Sequence, residues 1–267
     1  MRFSIVTPTF QRCQIVCASL DSALAFARAT PDTEVVVVDD ASSDGTVEMI
    51  RATYPREIEN GLLVVVQRST NGGATAAKND GARVARGDWL IFLDSDDQLL
   101  PIASQVIPAF TVQYKTAPVL FFRCKDETGN LVGSPAPAAM LDIDTLLRRL
   151  FPVGGLPGEC LAVVSRAAFL AHPYDEDLRG FEALAYLRMV QRRGPALLSE
   201  AVVRRYDTTG ADRLSTLAGR LWRADQLARG FARMRAEFGI KLRFQQQAAL
   251  VLRIVCYRMA AVIGFGR

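Results

Sequence analysis

The stretch Trp89-Leu90-Ile91-Phe92-Leu93-Asp94-Ser95-Asp96-Asp97 runs five apolar residues straight into three carboxylates within four positions. A short apolar run ending in charge reads as a buried strand whose last residues emerge at the edge of a sheet. Carboxylates this close repel one another, and the cluster is costly unless a cation or a ring of donors compensates it. Hard oxygen ligands of this kind suit Mg²⁺ or Mn²⁺, above all beside a nucleotide phosphate. A solvated acidic turn is the competing reading, and the neighbouring sequence has to separate the two.

Upstream, the same arrangement repeats. Residues 3–7 read as a first strand and residues 15–28 as a helix. Glu34 then introduces Val35-Val36-Val37-Val38, a β-branched run with the look of a central parallel strand, which ends in Asp39-Asp40. A turn and a helix from Thr46 follow, then a strand over 62–67, the loop Asn71-Gly72-Gly73 and a helix over 74–86. Alternation of this kind implies right-handed crossovers and a mostly parallel sheet flanked by helices. Ligands in such sheets sit at strand carboxyl ends. The polar spots at 7–10, 39–40 and 94–97 all fall there.

Further along, helices are expected over 103–114, 166–171 and 181–193, and strands over 119–124 and 161–164. Residues 129–139 and 151–159 read as loops, and the chain beyond Asp212 reads as wholly helical.

Composition narrows the chemistry. Half of the 267 residues are apolar and 22% are charged, which suits a globular chain with a sizeable core. The five cysteines are odd in number and scattered, without a CxxC pair, and read as reduced thiols in a cytosolic protein. His172 is the only histidine, which argues against Ser-His-Asp catalysis and His-based zinc sites. The N-terminal apolar run is too short for a signal peptide.

Four blocks, in order and at the right spacing, resemble glycosyltransferase family 2, inverting nucleotide-sugar transferases with a GT-A fold. They are Thr7-Pro8-Thr9-Phe10-Gln11-Arg12, the run VVVVDDASSDGT over 35–46, Asn71-Gly72-Gly73 leading to Ala77-Lys78-Asn79-Asp80-Gly81, and the run GDWLIFLDSDD over 87–97. The likeness covers about residues 3–101. It implies an α/β, Rossmann-like GT-A domain over 1–212, with a nucleotide-sugar-binding half over 1–101 and an acceptor-side half over 102–212. A C-terminal helical extension follows over 213–267.

The resemblance also assigns roles. Asp39 and Asp40 stand at the end of the second strand, and Asp40 accepts the imide N–H of a uracil-like base. An N-cap or Asx-turn is the plainer use of that carboxylate. Phe10 stacks on the base or belongs to the core, and Pro8 and Thr9 shape its backbone contacts. Gly73, with Gly72, allows close backbone approach to sugar or phosphate. Lys78 stands where the family often has arginine and balances diphosphate charge as a point cation. Asn79 ties the glycine loop to the carboxylate strand. Asp94 contacts ribose or sugar hydroxyls, Asp96 is the ligand for Mg²⁺ or Mn²⁺, and Asp97 supports that metal or binds it directly.

An inverting transfer also needs a general base for the acceptor hydroxyl. The family commonly uses the aspartate of a Glu-Asp pair at a helix start, and here Glu182 is followed by Ala183. Glu182 is therefore the first candidate base, Glu159 the second and Asp175 a distant third. A helix-start carboxylate favoured by the macrodipole is the alternative for Glu182. Arg205 or Arg213, in what resembles a late donor-side loop, clamps the diphosphate.

Residues 213–267 hold eleven Lys/Arg and two acids, leaving −5 for residues 1–212 of a chain whose net charge is +4. Such asymmetry points to an anionic partner for the tail. Arginines interleave with Leu, Trp, Phe and Met there, and the apolar run over 248–265 is interrupted by Arg253 and Arg258. A helix lying in the interface of an anionic membrane is expected, with packing onto the core or a second subunit as the alternative. The expected partners are a nucleotide-sugar donor and a saccharide or lipid-linked acceptor. Nucleic acid is not among them. The expected location is the cytoplasm, at the inner face of its membrane.

Three rival classes fit the sequence less well. Phosphatase-like hydrolases need Thr or Val where Gln98 stands, and nucleotidyltransferases need a basic glycine-rich loop after the first strand. The third, a sugar-nucleotide-binding protein without turnover, is kept alive by Ala183.

Overall fold

The structure, a computed structural model, describes residues 1–150, 158–209 and 217–263. The first half alternates β1 (Phe3–Thr9), α1 (Val16–Ala29), β2 (Thr33–Asp39), α2 (Thr46–Thr53), α3 (Pro55–Glu59), β3 (Leu63–Gln67), α4 (Ala74–Val84) and β4 (Trp89–Phe92). The second half adds β5 (Gln98–Leu99), α5 (Ala103–Gln113), β6 (Val119–Lys125), β7 (Ala139–Leu141), α6 (Ile143–Leu150), β8 (Cys160–Ser165), α7 (Arg166–Ala171), α8 (Ala183–Arg193) and β9 (Ala196–Arg205). Three helices close it: α9 (Leu217–Trp222), α10 (Ala224–Phe238) and α11 (Phe244–Ile263).

The strands form one sheet in the order β3-β2-β1-β4-β8-β6-β9-β5, with β7 also paired to β9. β3, β2, β1 and β4 are mutually parallel, as their crossover helices require. Beyond β4 the sheet is mixed: β8 runs antiparallel to β4 and β6, β9 runs parallel to β6, and β5 and β7 pair antiparallel with β9. The expectation of a mostly parallel sheet holds for the nucleotide half and not for the rest.

Alternation along the strands builds two cores. Val6, Val36, Val38, Leu90 and Phe92 face α4, α7 and α8, whereas Phe3, Ile5, Val35, Val37 and Ile91 face α1 and α5. The valine run is therefore wholly buried because helices cover both faces. α4 lies close on the sheet because Gly81 has no Cβ; one placed there would meet Val6 Cγ1 at 2.4 Å.

Two differences from the sequence reading bear on the site and the tail. The stretch expected to hold a donor-side loop contains β9, in which Arg204 and Arg205 pair with Leu99 and Gln98. Ser199-Glu200 breaks the apolar run, and irregular register between β6 and β9 disguises the period. Arg213 lies outside the described residues. The tail is also not free. Met234, Phe238, Leu242 and Leu250 join the core. Arg229 and Arg233 pair with Asp177 at 3.2 and 3.1 Å, and Arg233 with Asp175 at 2.6 Å. Two arginines of the tail, Arg229 and Arg233, thus neutralise acids of the preceding domain.

Candidate functional site

The carboxyl ends of β1, β2 and β4 meet the N-termini of α4 and α8. Asp40, just beyond β2, is nearly buried. Its carboxylate accepts the Gly72 N–H at 2.9 Å and the Gly73 N–H at 2.6 Å and pairs with Arg68. Arg68 also holds Asp80 on α4 at 2.7 Å. Asp40 is therefore the organiser of the glycine loop. A carboxylate offers about four acceptor sites, so one remains for a nucleotide base. Gly73 has φ +86°, and Arg179 closes over it and donates to Asn71 Oδ1 at 2.9 Å.

Asp39 is fully buried; one oxygen accepts the Ser42 N–H at 2.9 Å, which makes it a turn-former rather than a surface contact. Its other oxygen and the hydroxyl of Thr9, its register partner, are buried without hydrogen-bond partners among the described residues. Pro8 and Thr9 belong to buried β1, and Phe10 beyond them is 42% exposed, open to a stacking base. Gln11 and Ala41 adopt left-handed φ values of 53° and 65°. Non-glycine residues in that region concentrate at ligand sites.

The centre of the cleft is Lys78 on α4. Its ammonium is buried, 2.8 Å from Asp94 and 3.9 Å from Glu182. Burial disfavours its charge, yet Asp94 and then Glu182 overcome this and raise Lys78 above the ordinary lysine range. Desolvation by the cleft walls likewise opposes the charge on Asp94, and Lys78 outweighs it, holding the carboxyl below its usual value. Lys78 is thus a bridge between the carboxylate that follows β4 and the start of α8.

The remaining two carboxylates part company. Asp96 is half-buried and has no ion pair among the described residues; burial and then Asp94 push its carboxyl up. An unpaired carboxylate in this position fits a cation. Asp97 turns inward, where Arg204 pairs with it at 2.9 Å and the Asp207 N–H reaches it at 3.0 Å. Burial raises it to about 7 against the pull of Arg204. Expected to bind or support a metal, Asp97 is engaged here by Arg204 of β9 and by the backbone after it.

Glu182 precedes α8 without capping it through its side chain; the carboxylate faces Lys78 instead. Glu159 is exposed on the rim of the same cluster, within electrostatic range of Arg204, Asp94, Glu182 and Lys78. Asp175 is taken by Arg188 at 2.8 Å and Arg233 at 2.6 Å and drops out as a base. Asn79 is also corrected. Its amide accepts the Tyr174 N–H at 3.1 Å and donates to Tyr174 O at 2.9 Å and Glu176 at 3.0 Å. It fastens α4 to the acceptor half, not to the carboxylate strand, and both ends of the amide are occupied.

Arg68 escaped the sequence reading, and Arg179 and Arg204 fall within its motifs without a role. Arg68 follows β3 directly, so the rule that ligands gather at strand carboxyl ends would have found it. The other two carry no local signal.

A family model described as "Glycosyl transferase family 2" matches residues 4–169. A poly(ribitol-phosphate) beta-glucosyltransferase of Bacillus spizizenii is 34% identical over 100 residues, 37% of this chain and 15% of that protein. Two other curated relatives are covered over 30% and 36% of their length, so the chain spans about a third or less of the relatives it matches. S. aureus TarS 1–349 in complex with UDP-GlcNAc superimposes with a TM-score of 0.65 at 19% identity, covering 97% of this chain and 81% of that one. A Pyrobaculum calidifontis mannosyltransferase with GDP-Man and Mn²⁺ gives 0.61 at 17%, covering 98% and 74%. The structural likenesses establish the fold, which is that of GT-A glycosyltransferases. The family match takes in more than half of the chain and contains the blocks that build the cleft, so the chain belongs to glycosyl transferase family 2.

Proposed function

We propose that this chain is a glycosyltransferase that moves a sugar from a nucleoside-diphosphate sugar, a uridine one by preference, to a hydroxyl acceptor with inversion at the anomeric carbon. Its place is in the assembly of a bacterial cell-surface polysaccharide or glycolipid. One observation carries the reading: Lys78 joins Asp94 from the donor half to Glu182 from the acceptor half in a single cluster. The relatives support it, since one is a poly(ribitol-phosphate) glucosyltransferase and two solved neighbours hold UDP-GlcNAc and GDP-Man.

In this mechanism Glu182 takes the proton from the acceptor hydroxyl as its oxygen attacks the anomeric carbon opposite the leaving diphosphate. The Lys78 ammonium, 3.9 Å away, orients Glu182. Phe10 stacks on the base, and the remaining acceptor site of Asp40 takes its N–H. Arg68 and Asp40 together set the glycine loop so that Gly72 and Gly73 approach the donor closely. Glu159 is the alternative base from the rim. Mg²⁺ or Mn²⁺ would supply Lewis-acid charge for the departing diphosphate. Asp96 fits such an ion, with Asp94 beside it, because a hard cation of this kind is commonly held by one or two carboxylates plus substrate phosphates.

Ala183 favours a second reading, a nucleotide-sugar-binding protein without turnover. A thermal-shift screen of nucleoside diphosphates and nucleotide sugars, with and without Mn²⁺, followed by donor-turnover assays, decides between them. Stabilisation with turnover supports transfer, and stabilisation with no turnover on any donor or acceptor supports the second reading. No stabilisation by any nucleotide overturns both.

A further inference from the structure

The helix α11 is docked along one side only. Gln246, Leu250 and Ile254, four residues apart, are buried. Phe231 on α10 stacks on Tyr257 with ring centroids 5.9 Å apart, and Arg253 lies over the same ring. On the opposite side Phe244, Val251, Leu252, Val255, Met259 and Val262 are between 40% and 87% exposed. Their spacing puts them on one continuous stripe. Ile240, just before the helix, is 95% exposed.

The arginines of the tail divide accordingly. Those on the inner side, Arg229 and Arg233, are neutralised by Asp175, Asp177 and Asp225. Arg235, Lys241, Arg243 and Arg258 are exposed and form no ion pair with a described residue. Arg235 and Arg258 share a groove between α10 and α11 with Ile240, Val251 and Val255, so free cations and exposed apolar groups lie side by side.

We propose that α11 lies flat on an anionic lipid surface, its apolar stripe in the acyl boundary and these four cations at the headgroups. Apolar burial and attraction to anionic lipid act together in such helices. A second copy of the chain is the poorer occupant, because two-fold pairing would set the same cations against themselves. Spanning is also disfavoured. The helix is long and apolar enough by length and composition. However, it carries Arg253 and Arg258 and would have to leave α10. The position also suits an acceptor held at a membrane: Phe181, next to Glu182, packs on Phe231 at 5.1 Å, so α11 is one packing layer from the candidate base.

The test is co-sedimentation of the full chain with phosphatidylcholine vesicles and with vesicles enriched in phosphatidylglycerol. It does not depend on sugar transfer. Two variants accompany the wild type, Leu252→Glu/Val255→Glu/Met259→Glu and Arg243→Gln/Arg258→Gln, all at exposed positions; unchanged thermal unfolding certifies their fold. The expected result is binding to the anionic vesicles, abolished by the three glutamates and weakened roughly 30-fold by loss of two cations. Failure to bind, or binding that survives the glutamates, overturns the proposal. So does a concentration-dependent dimer, seen by sedimentation velocity, that the glutamates dissolve. Resistance to alkaline extraction from membranes overturns it in favour of a spanning helix.

Discussion

Lys78 and Glu182, from opposite halves of the chain, stand 3.9 Å apart, with the lysine also in hydrogen-bond contact with Asp94. The contact joins the carboxylate that follows β4 to the start of α8. Disturbing it is therefore expected to affect donor and acceptor chemistry together.

Glu182→Gln is expected to lower kcat by about 10²–10⁴ with little change in donor affinity, since the lost proton transfer belongs to the chemical step. Steady-state kinetics and donor titration separate the two effects. Near-normal turnover would remove Glu182 from the mechanism and leave Glu159. Ala183→Asp, which restores the aspartate of the family at the helix start, is expected to raise turnover only if the native chain is limited by its base.

Lys78→Met removes the cation that Asp94 and Glu182 share. The side chain of Asp94 is 43% exposed, so solvent screens part of the loss. The expected destabilisation is about 1–3 kcal/mol in urea unfolding. The same variant is expected to weaken both donor binding and kcat. An effect confined to stability would make Lys78 purely structural.

Asp96→Asn and Asp97→Asn should behave oppositely. Asp96 has no cation to lose, so its variant should unfold near the wild-type temperature while losing any Mn²⁺-dependent stabilisation by donor. Asp97→Asn removes the carboxylate partner of the buried Arg204, which keeps Cys124 Sγ at 3.0 Å and the Tyr206 ring, and is expected to cost about 1–3 kcal/mol. Calorimetry with and without Mn²⁺ and nucleotide distinguishes these outcomes. Equal metal loss in both would restore Asp97 as a ligand.

Gly73→Ala meets two obstacles. The backbone has φ +86°, and a Cβ would stand 2.3 Å from Arg179 Nε. Strain of this kind costs about 1–3 kcal/mol. Weaker nucleotide binding with an otherwise intact fold is the expected outcome in isothermal titration.

His172, the only histidine, offers a clean pH probe. Burial, then Arg188, Arg192 and Arg193, lower it below the ordinary 6.5. The unfolded chain thus binds the proton more readily than the folded one. The stabilising contribution is present above 6.5 and is lost as pH falls through the lower, folded value. The single imidazole resonance should titrate below 6.5, and His172→Gln should flatten the dependence of the urea midpoint over that window.

The nucleotide half was legible because its signals are local. An apolar run ending in carboxylate marks a strand and its carboxyl end at once, and β1, β2 and β4 fall within two residues of expectation. The acceptor half was less so. Short β5 and β7 carry too few residues to show a period, and β9 is disguised by the Ser199-Glu200 break. The tail shows its basic, amphipathic pattern in the sequence, yet nothing local indicated that Arg233 meets Asp175 while Arg258 meets no acid among the described residues.

The sequence by itself determined the order of elements in the nucleotide half, the gathering of Asp40, Asp94 and Asp96 at strand ends, and the missing aspartate at Ala183. Tertiary structure alone decided what each charge faces. Asp97 went to Arg204, Asn79 to Tyr174, Asp40 to Arg68 and the glycine loop, and Lys78 to both Asp94 and Glu182. The physical reason is that periodicity and turn chemistry act over a few residues. The partner of a buried charge depends instead on which distant strands and helices become neighbours, as β5 and β9 do here.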